Sequence, residues 1–237
     1  MFKHINFKTK FRFTLQRFFS SIIKEQHILS FRQFNLIPEI YSVLDKLNYF
    51  APTSIQSVAL PKIMESKHIF FASAPGTGKT LTYLLPLLHF LKTEEVTAKQ
   101  RLTTPKRPRA LILVPSRELA IQVEEVCKLF VFDVPLVVES FFVGKKYVNE
   151  RITSEKGIDI LISTPERFKN HWGKGSVHVT NLSYVIFDDF DTALDAGNVK
   201  LVEELLPRFF GNPEEEGKSK IKQSVFVSTT LTIVRYN

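Results

Sequence analysis

Sulfur chemistry is nearly absent from this chain. Cys127 is the one cysteine in 237 residues, which excludes an intrachain disulfide and a cysteine-rich zinc site. A reducing compartment is the natural setting for such a sequence. No run of eighteen apolar residues occurs, so no membrane-spanning helix is expected. Internal repeats are missing too. What the length offers is one large α/β domain plus an extension. A core of that size removes about 70% of the unfolded chain's surface from water, without staples.

Acidic residues are missing from the whole N-terminus, and the first is Glu25. The formal charge is +8, and Lys3, Lys8, Lys10, Arg12 and Arg17 supply five of it, leaving +3 for the rest. The globular part is therefore only mildly basic, and net charge alone does not indicate nucleic acid. Drawn as a helix, Lys3, Lys10 and Arg17 form one stripe and Phe7, Phe11, Leu15 and Phe18 another. A basic, acid-free amphipathic start is the pattern of a mitochondrial presequence. The run Arg17-Phe18-Phe19-Ser20 resembles a matrix-protease site cut after Phe19. The alternative is a basic tail that binds RNA or has no fixed structure. We expect residues 1–19 to be the presequence, 20–30 a connector, and the mature protein to reside in the mitochondrial matrix.

Beyond the connector, apolar periodicity predicts a helix over Leu36–Leu47. Strands are expected at Ile69–Ala72, Ala110–Val114, Leu136–Phe142, Ile158–Ser163, Tyr184–Asp188 and Ser224–Ser228. Helices between them include Thr80–Leu91, Ser116–Phe130, Pro165–Trp172 and Val199–Phe210. Strands alternating with amphipathic helices imply a mostly parallel sheet flanked by helices on both faces. Ligands then sit beyond the carboxyl ends of the strands. The segment Lys92–Arg109, with five basic residues and two prolines among Lys99–Arg109, reads as a solvated insertion. Gly211–Gly217, with Glu214, Glu215 and Glu216, reads as a surface link.

The segment Ser73-Ala74-Pro75-Gly76-Thr77-Gly78-Lys79-Thr80 follows an apolar strand and opens a helix, the context a phosphate-binding loop requires. Gly76 and Gly78 let backbone N–H groups approach phosphates, and the helix N-terminus favours negative charge. Lys79 is placed to reach the β- and γ-phosphates and Thr80 to ligate Mg²⁺. Ser73 stands where such loops usually begin with glycine. Downstream, an apolar strand ends in Asp188-Asp189-Phe190-Asp191, where Asp188 is placed to hold Mg²⁺ through water.

With these motifs on the page, the chain resembles the DEAD-box family of RNA helicases from about Phe31 to Thr232. Asn48-Tyr-Phe-Ala-Pro-Thr-Ser-Ile-Gln56 is similar to the family's Q motif. The resemblance implies that Gln56 reads the adenine edge, that Tyr49 stacks on the ring, and that Phe31 belongs to the same adenine site. Val114 to Gln122 resembles motif Ia, Thr164-Pro-Glu-Arg167 motif Ib, and Val227-Ser-Thr-Thr230 motif III, which links nucleotide and RNA sites. The implied fold is the first RecA-like P-loop lobe, spanning 31–237 and incomplete at its C-terminus. ATP and Mg²⁺ are the implied cofactors and the RNA backbone the implied partner. Pro115, Ser116, Arg117, Gly144, Thr164, Pro165 and Arg167 take the RNA positions, and Asp191, Ser228 and Thr230 the coupling positions. Backbone contacts of this kind position RNA without reading sequence. Read without the family, Ser116 and Thr164 could equally be helix caps and the arginines surface ion pairs. Leu81–Leu91 and Asp191–Asp195 look most like mitochondrial members that assist large-ribosomal-subunit assembly, which makes assembly intermediates of that subunit the expected partners.

Three positions depart from the family pattern. Asp189 replaces the glutamate that positions the attacking water, and a misplacement of about 1 Å costs on the order of 10²-fold in rate. Glu166 replaces the motif Ib glycine and sets a negative charge where a phosphate belongs. Lys145 replaces the second glycine of the RNA loop, adding charge and losing backbone freedom. The second lobe, which carries the arginine finger, is not in these 237 residues. Two readings follow, an RNA-dependent ATPase represented by its first lobe and a non-catalytic assembly factor that keeps nucleotide and RNA surfaces.

Overall fold

In the computed structural model, described residues are 30–65, 68–193, 201, 204–206, 209 and 221–229. The expected presequence, nearly all of the connector, the acidic 211–217 segment and Thr230 lie outside them. A 3-10 turn at Phe31–Phe34 leads into α1 (Pro38–Lys46) and α2 (Ser54–Glu65). Then come β1 (His68–Ala72), α3 (Lys79–Ala98), β2 (Ala110–Leu113), α4 (Arg117–Lys128), β3 (Val138–Phe141) and α5 (Tyr147–Lys156). The remainder is β4 (Ile160–Ser163), α6 (Pro165–Gly173), β5 (Tyr184–Phe187), the short α7 (Phe190–Ala193) and β6 (Gln223–Ser228).

The six strands form one sheet in the order β1-β6-β5-β2-β4-β3, and every pairing is parallel. Alternation along each strand sends side chains to opposite faces. Ala110, Ile112, Ile160, Ile162, Ile186, Val225 and Val227 join an apolar layer with α1 to α4. Leu111, Leu113, Leu161, Val185, Phe187 and Phe226 join a second layer with Phe168 of α6. Stacked rings of Phe187 and Phe226, 4.8 Å apart, mark that second face. A parallel sheet covered on both sides is the expected RecA-like α/β architecture, and here it is wholly parallel.

Two expectations need correction. Helix α3 runs on to Ala98, so the first part of the supposed insertion is helical. Arg109, read as part of a solvated loop, is 4% exposed. It donates to Leu91 O at 2.6 Å, Glu94 at 3.0 Å, Glu95 at 3.2 Å and Asp159 at 3.3 Å. A buried guanidinium is tolerated because both terminal nitrogens are fully engaged, mostly by carboxylates. Three helices, α2, α5 and the short α7, were not anticipated. Where a helix was expected over Val199–Phe210, Leu201, Glu204, Leu205, Leu206 and Phe209 have helical backbone.

Candidate nucleotide and RNA site

Because all six strands point one way, the loops after them share one edge, where most of the predicted chemistry gathers. The loop after β1 carries Ser73 to Gly78. Gly76 and Gly78 have φ of +75° and +91°, a left-handed region that favours glycine. The Ser73 hydroxyl lies 2.8 Å from Thr77 Oγ1, which donates to Ala74 O at 2.7 Å. A side chain at this position thus closes the loop on itself. Lys79 Nζ donates to Ser73 O at 2.7 Å and Ala74 O at 3.3 Å. These carbonyls hold an ammonium inside the loop, and an anionic oxygen would bond it more strongly than they do.

The Q-motif segment meets this loop directly. Thr53 Oγ1 donates to Thr77 O at 2.8 Å. Gln56 accepts from the Thr53 amide at 2.8 Å and donates through Nε2 to Gly78 O at 3.2 Å. Its amide is therefore buried against the phosphate loop and keeps one N–H beyond these two bonds. A Cβ on Gly78 would meet Gln56 Nε2 at 2.5 Å, so any side chain there would strain the backbone and push the Gln56 amide from its bond to Gly78 O. Tyr49 is 44% exposed, with ring surface free for stacking. Phe31 differs from the expectation. It is 3% exposed and its ring packs 6.0 Å from Phe34 in the apolar layer, so it supports this segment from the core and offers no open face to a base.

Asp188 follows β5 and is 4% exposed. Burial pushes its carboxyl above the ordinary range, opposed by hydrogen bonds from the Tyr83 hydroxyl and the Asp189 amide. Those bonds measure 2.7 Å to Oδ2 and 3.0 Å to Oδ1. Asp189 is half-buried with φ of +52°. Its carboxylate accepts from Thr229 Oγ1 at 2.7 Å, while Asp191 accepts from the Thr229 amide at 3.1 Å. Lys79 Nζ also reaches Thr229 Oγ1 at 3.4 Å. Thr229, which sequence reasoning passed over in favour of Ser228 and Thr230, thus joins the phosphate loop to both later carboxylates. Its neighbour Ser228 is buried at the end of β6.

The RNA candidates gather one strand over. Pro115, Ser116, Arg117, Thr164 and Pro165 line a cleft of about 160 Å³ with Val143 and Glu166. Gly144 has φ of +114°, and a Cβ there would meet Arg117 Nη1 at 2.8 Å. Ser116 caps α4, accepting from the Leu119 amide at 3.2 Å, whereas Thr164 makes no side-chain cap bond to α6. Arg167 is tied by Nε to Glu150 at 2.8 Å and by Nη2 to Lys145 O at 3.0 Å. Glu150 also accepts from the Phe142 amide at 3.0 Å and pairs with His171 Nε2 at 2.8 Å. This buried carboxylate therefore fixes Arg167 and the Gly144 loop together, and Arg167 serves an internal ion pair rather than lining the cleft. Nothing in the spacing of a polar segment such as Tyr147–Lys156 pointed to it.

The donor set suits a nucleotide with a hard cation. Hydroxyl and carboxylate oxygens of Thr80 and Asp188 match Mg²⁺, and no group of three His, Cys, Asp or Glu residues forms another metal cluster among the described residues. No described helix is long and apolar enough to cross a membrane.

Comparison with known proteins agrees. Residues 53–236 match the DEAD/DEAH box helicase family. A rice protein (Oryza sativa subsp. japonica), DEAD-box ATP-dependent RNA helicase 17, is 34% identical over 211 residues, covering 85% of this chain and 35% of the relative. DEAD-box ATP-dependent RNA helicase 39 of Arabidopsis thaliana is 32% identical over 75% of this chain and 29% of its own length. The ATP-dependent RNA helicase RhlB of Shewanella pealeana is 30% identical over 89% of this chain and 47% of its own length. The chain thus spans less than half the length of these relatives. On its parallel sheet, its phosphate loop and the family match over most of its length, the chain belongs to the DEAD-box helicase family.

Proposed function

We propose that this chain is the first, nucleotide-binding lobe of an ATP-dependent RNA helicase, which binds ATP with Mg²⁺ and the sugar-phosphate backbone of RNA. The observation that carries the reading is the phosphate loop after β1, to which Gln56 bonds at Gly78 O and Lys79 joins the carboxylates after β5 through Thr229, on the sheet edge that also carries the Ser116–Thr164 cleft. Lys79 and the loop amides take the phosphates, Thr80 and Asp188 hold the cation, and Gln56 with Tyr49 selects adenine. The cation, when bound, neutralises phosphate charge during transfer. Asp189 orients the water, and Asp191 with Thr229 carries the coupling toward motif III. Ser116, Arg117 and Gly144 position RNA without reading its sequence.

Equilibrium binding of fluorescent ATP and GTP analogues, with Mg²⁺ and with EDTA, tests this. We expect a Mg²⁺-dependent preference for adenine in the unaltered chain. Gln56→Ala should abolish the preference and weaken binding of both nucleotides, because it also removes the bond to Gly78 O. Equal affinity for ATP and GTP in the unaltered chain rules out the site as drawn.

Glu166 in the RNA cleft and the shortened Asp189 favour a second reading, a nucleotide- and RNA-binding assembly factor with little turnover. The two readings share their ligands and part on phosphate release. For place of action, the acid-free N-terminus supports import into the mitochondrial matrix, with the large ribosomal subunit's assembly intermediates as the setting. Terminal sequencing of organelle protein should then begin at or near Ser20, and an intact Met1 there would rule import processing out.

A further inference from the structure

Tyr83 lies on α3, one turn beyond Lys79 and Thr80, and is 1% exposed. A fully buried phenol on an apolar helix face needs a partner for its hydroxyl. Here the partner is Asp188 Oδ2, at 2.7 Å. Thr80 precedes Tyr83 by three residues on this helix, so the two side chains are neighbours on one face. The phenol therefore bonds one residue assigned to the cation, at the end of β5, and lies one helical turn from the other. A phenylalanine of the same shape would pack as well in this core yet leave Asp188 Oδ2 without this donor.

We propose that Tyr83 is a positioning residue for the Mg²⁺ site, fixing the orientation of the Asp188 carboxylate through its hydroxyl. This rests on the nucleotide site proposed above and adds a residue to it. With Oδ1 taking the Asp189 amide at 3.0 Å and Oδ2 the phenol, the carboxylate cannot rotate about its terminal bond without losing a donor. Its remaining lone pairs are left for waters that a bound cation would carry. Partners that orient a metal-site residue in this way typically account for about 10- to 100-fold in metal affinity. The lower end fits a carboxylate that acts through water.

The test uses the 237-residue chain and a fluorescent ADP analogue titrated at rising Mg²⁺. For Tyr83→Phe the Mg²⁺ midpoint should rise about tenfold, while ADP affinity in EDTA stays as in the unaltered chain. In an Asp188→Asn background, Tyr83→Phe should change the Mg²⁺ midpoint no further. A merely structural role would lower affinity in EDTA and in Mg²⁺ alike, and that result, or an unchanged midpoint, overturns the inference. If the unaltered chain shows no response to Mg²⁺, the nucleotide site itself fails and this inference with it. A second measurement needs no variant. In the chain labelled with ¹³C at tyrosine Cζ, adding Mg²⁺ to the ADP complex should move the resonance of a buried tyrosine. A spectrum that responds to ADP and not to Mg²⁺ counts against the role.

Discussion

At the scale of single residues, charge placement decides what the RNA cleft can do. Glu166 is exposed and lines the cleft with Ser116, Arg117 and Thr164. A phosphate docked there meets a carboxylate, a like-charge contact of about 1 kcal/mol at a solvated surface. Glu166→Gln should therefore strengthen binding of single-stranded RNA about fivefold at low salt, the gain shrinking as salt rises. Fluorescence anisotropy of a labelled oligonucleotide measures this. An unchanged affinity would place the RNA path elsewhere. Gly144 tests the same cleft from its other wall. A Cβ there needs a strained φ and displaces Arg117, so Gly144→Ala should weaken RNA binding several-fold while leaving Mg²⁺-dependent ADP binding intact. Equal loss in both assays would mean a general disturbance.

At the scale of elements, legibility followed how apolar residues are distributed. Strands buried on both faces, such as Ala110–Leu113 and Tyr184–Phe187, announce themselves as short apolar runs. Helix α5 does the reverse. Its buried positions are Glu150 and Ser154, while Val148 and Ile152 are 56% and 44% exposed, so an amphipathic pattern points the wrong way. Helix α2 carries Pro61 in its interior, a residue that normally argues against a helix. Motif spacing picked out most of the residues that the fold gathers at the candidate nucleotide site. Thr229, Tyr83 and Glu150 were hidden because their roles depend on long-range hydrogen bonds with no local sequence signature. Arg109 was hidden in the same way, and it carries a prediction. Removing one member of a buried ion cluster costs about 3–5 kcal/mol, so Arg109→Ala should lower stability to urea by that order. Burial works against the charge of Glu94, but hydrogen bonds from Lys222, Tyr184 and Arg109 outweigh it and hold its carboxyl below the ordinary value. Glu95 is likewise held low despite burial, chiefly by Lys92 and the Leu102 amide. A depressed folded value means that this stabilisation is complete above the ordinary carboxylate range and is lost as pH falls through the lowered value. Urea midpoints measured from neutral to acid pH should fall in that window. The fall should be shallower in Arg109→Ala, and parallel curves would separate Arg109 from the acid response.

At the scale of the whole molecule, the proposed reading as a first lobe makes a prediction about turnover. The chain spans 35% of the rice relative's length, and DEAD-box architecture implies that the arginine finger comes from a second lobe. Such a finger contributes roughly 10³- to 10⁵-fold in related phosphoryl-transfer enzymes, about 4–7 kcal/mol of barrier. Asp189 adds a smaller deficit. Its carboxylate is drawn back by one methylene and engaged by Thr229 Oγ1 at 2.7 Å. The two deficits act at different steps of assembly and can be separated. In the 237-residue chain, ATP turnover should be slow with or without RNA, and Asp189→Glu should change it little, because the missing positive charge dominates. In a fusion of this chain to the second lobe of a relative, turnover should rise with RNA. Asp189→Glu in that fusion should raise it further by about 10-fold or more, since a water-positioning group displaced by about 1 Å costs on the order of 10²-fold. Steady-state phosphate release on the four proteins, each with and without RNA, decides the matter. Robust RNA-stimulated turnover by the chain alone would show that no second lobe is needed. A fusion that binds both ligands and stays inactive even with Asp189→Glu would instead favour the assembly-factor reading.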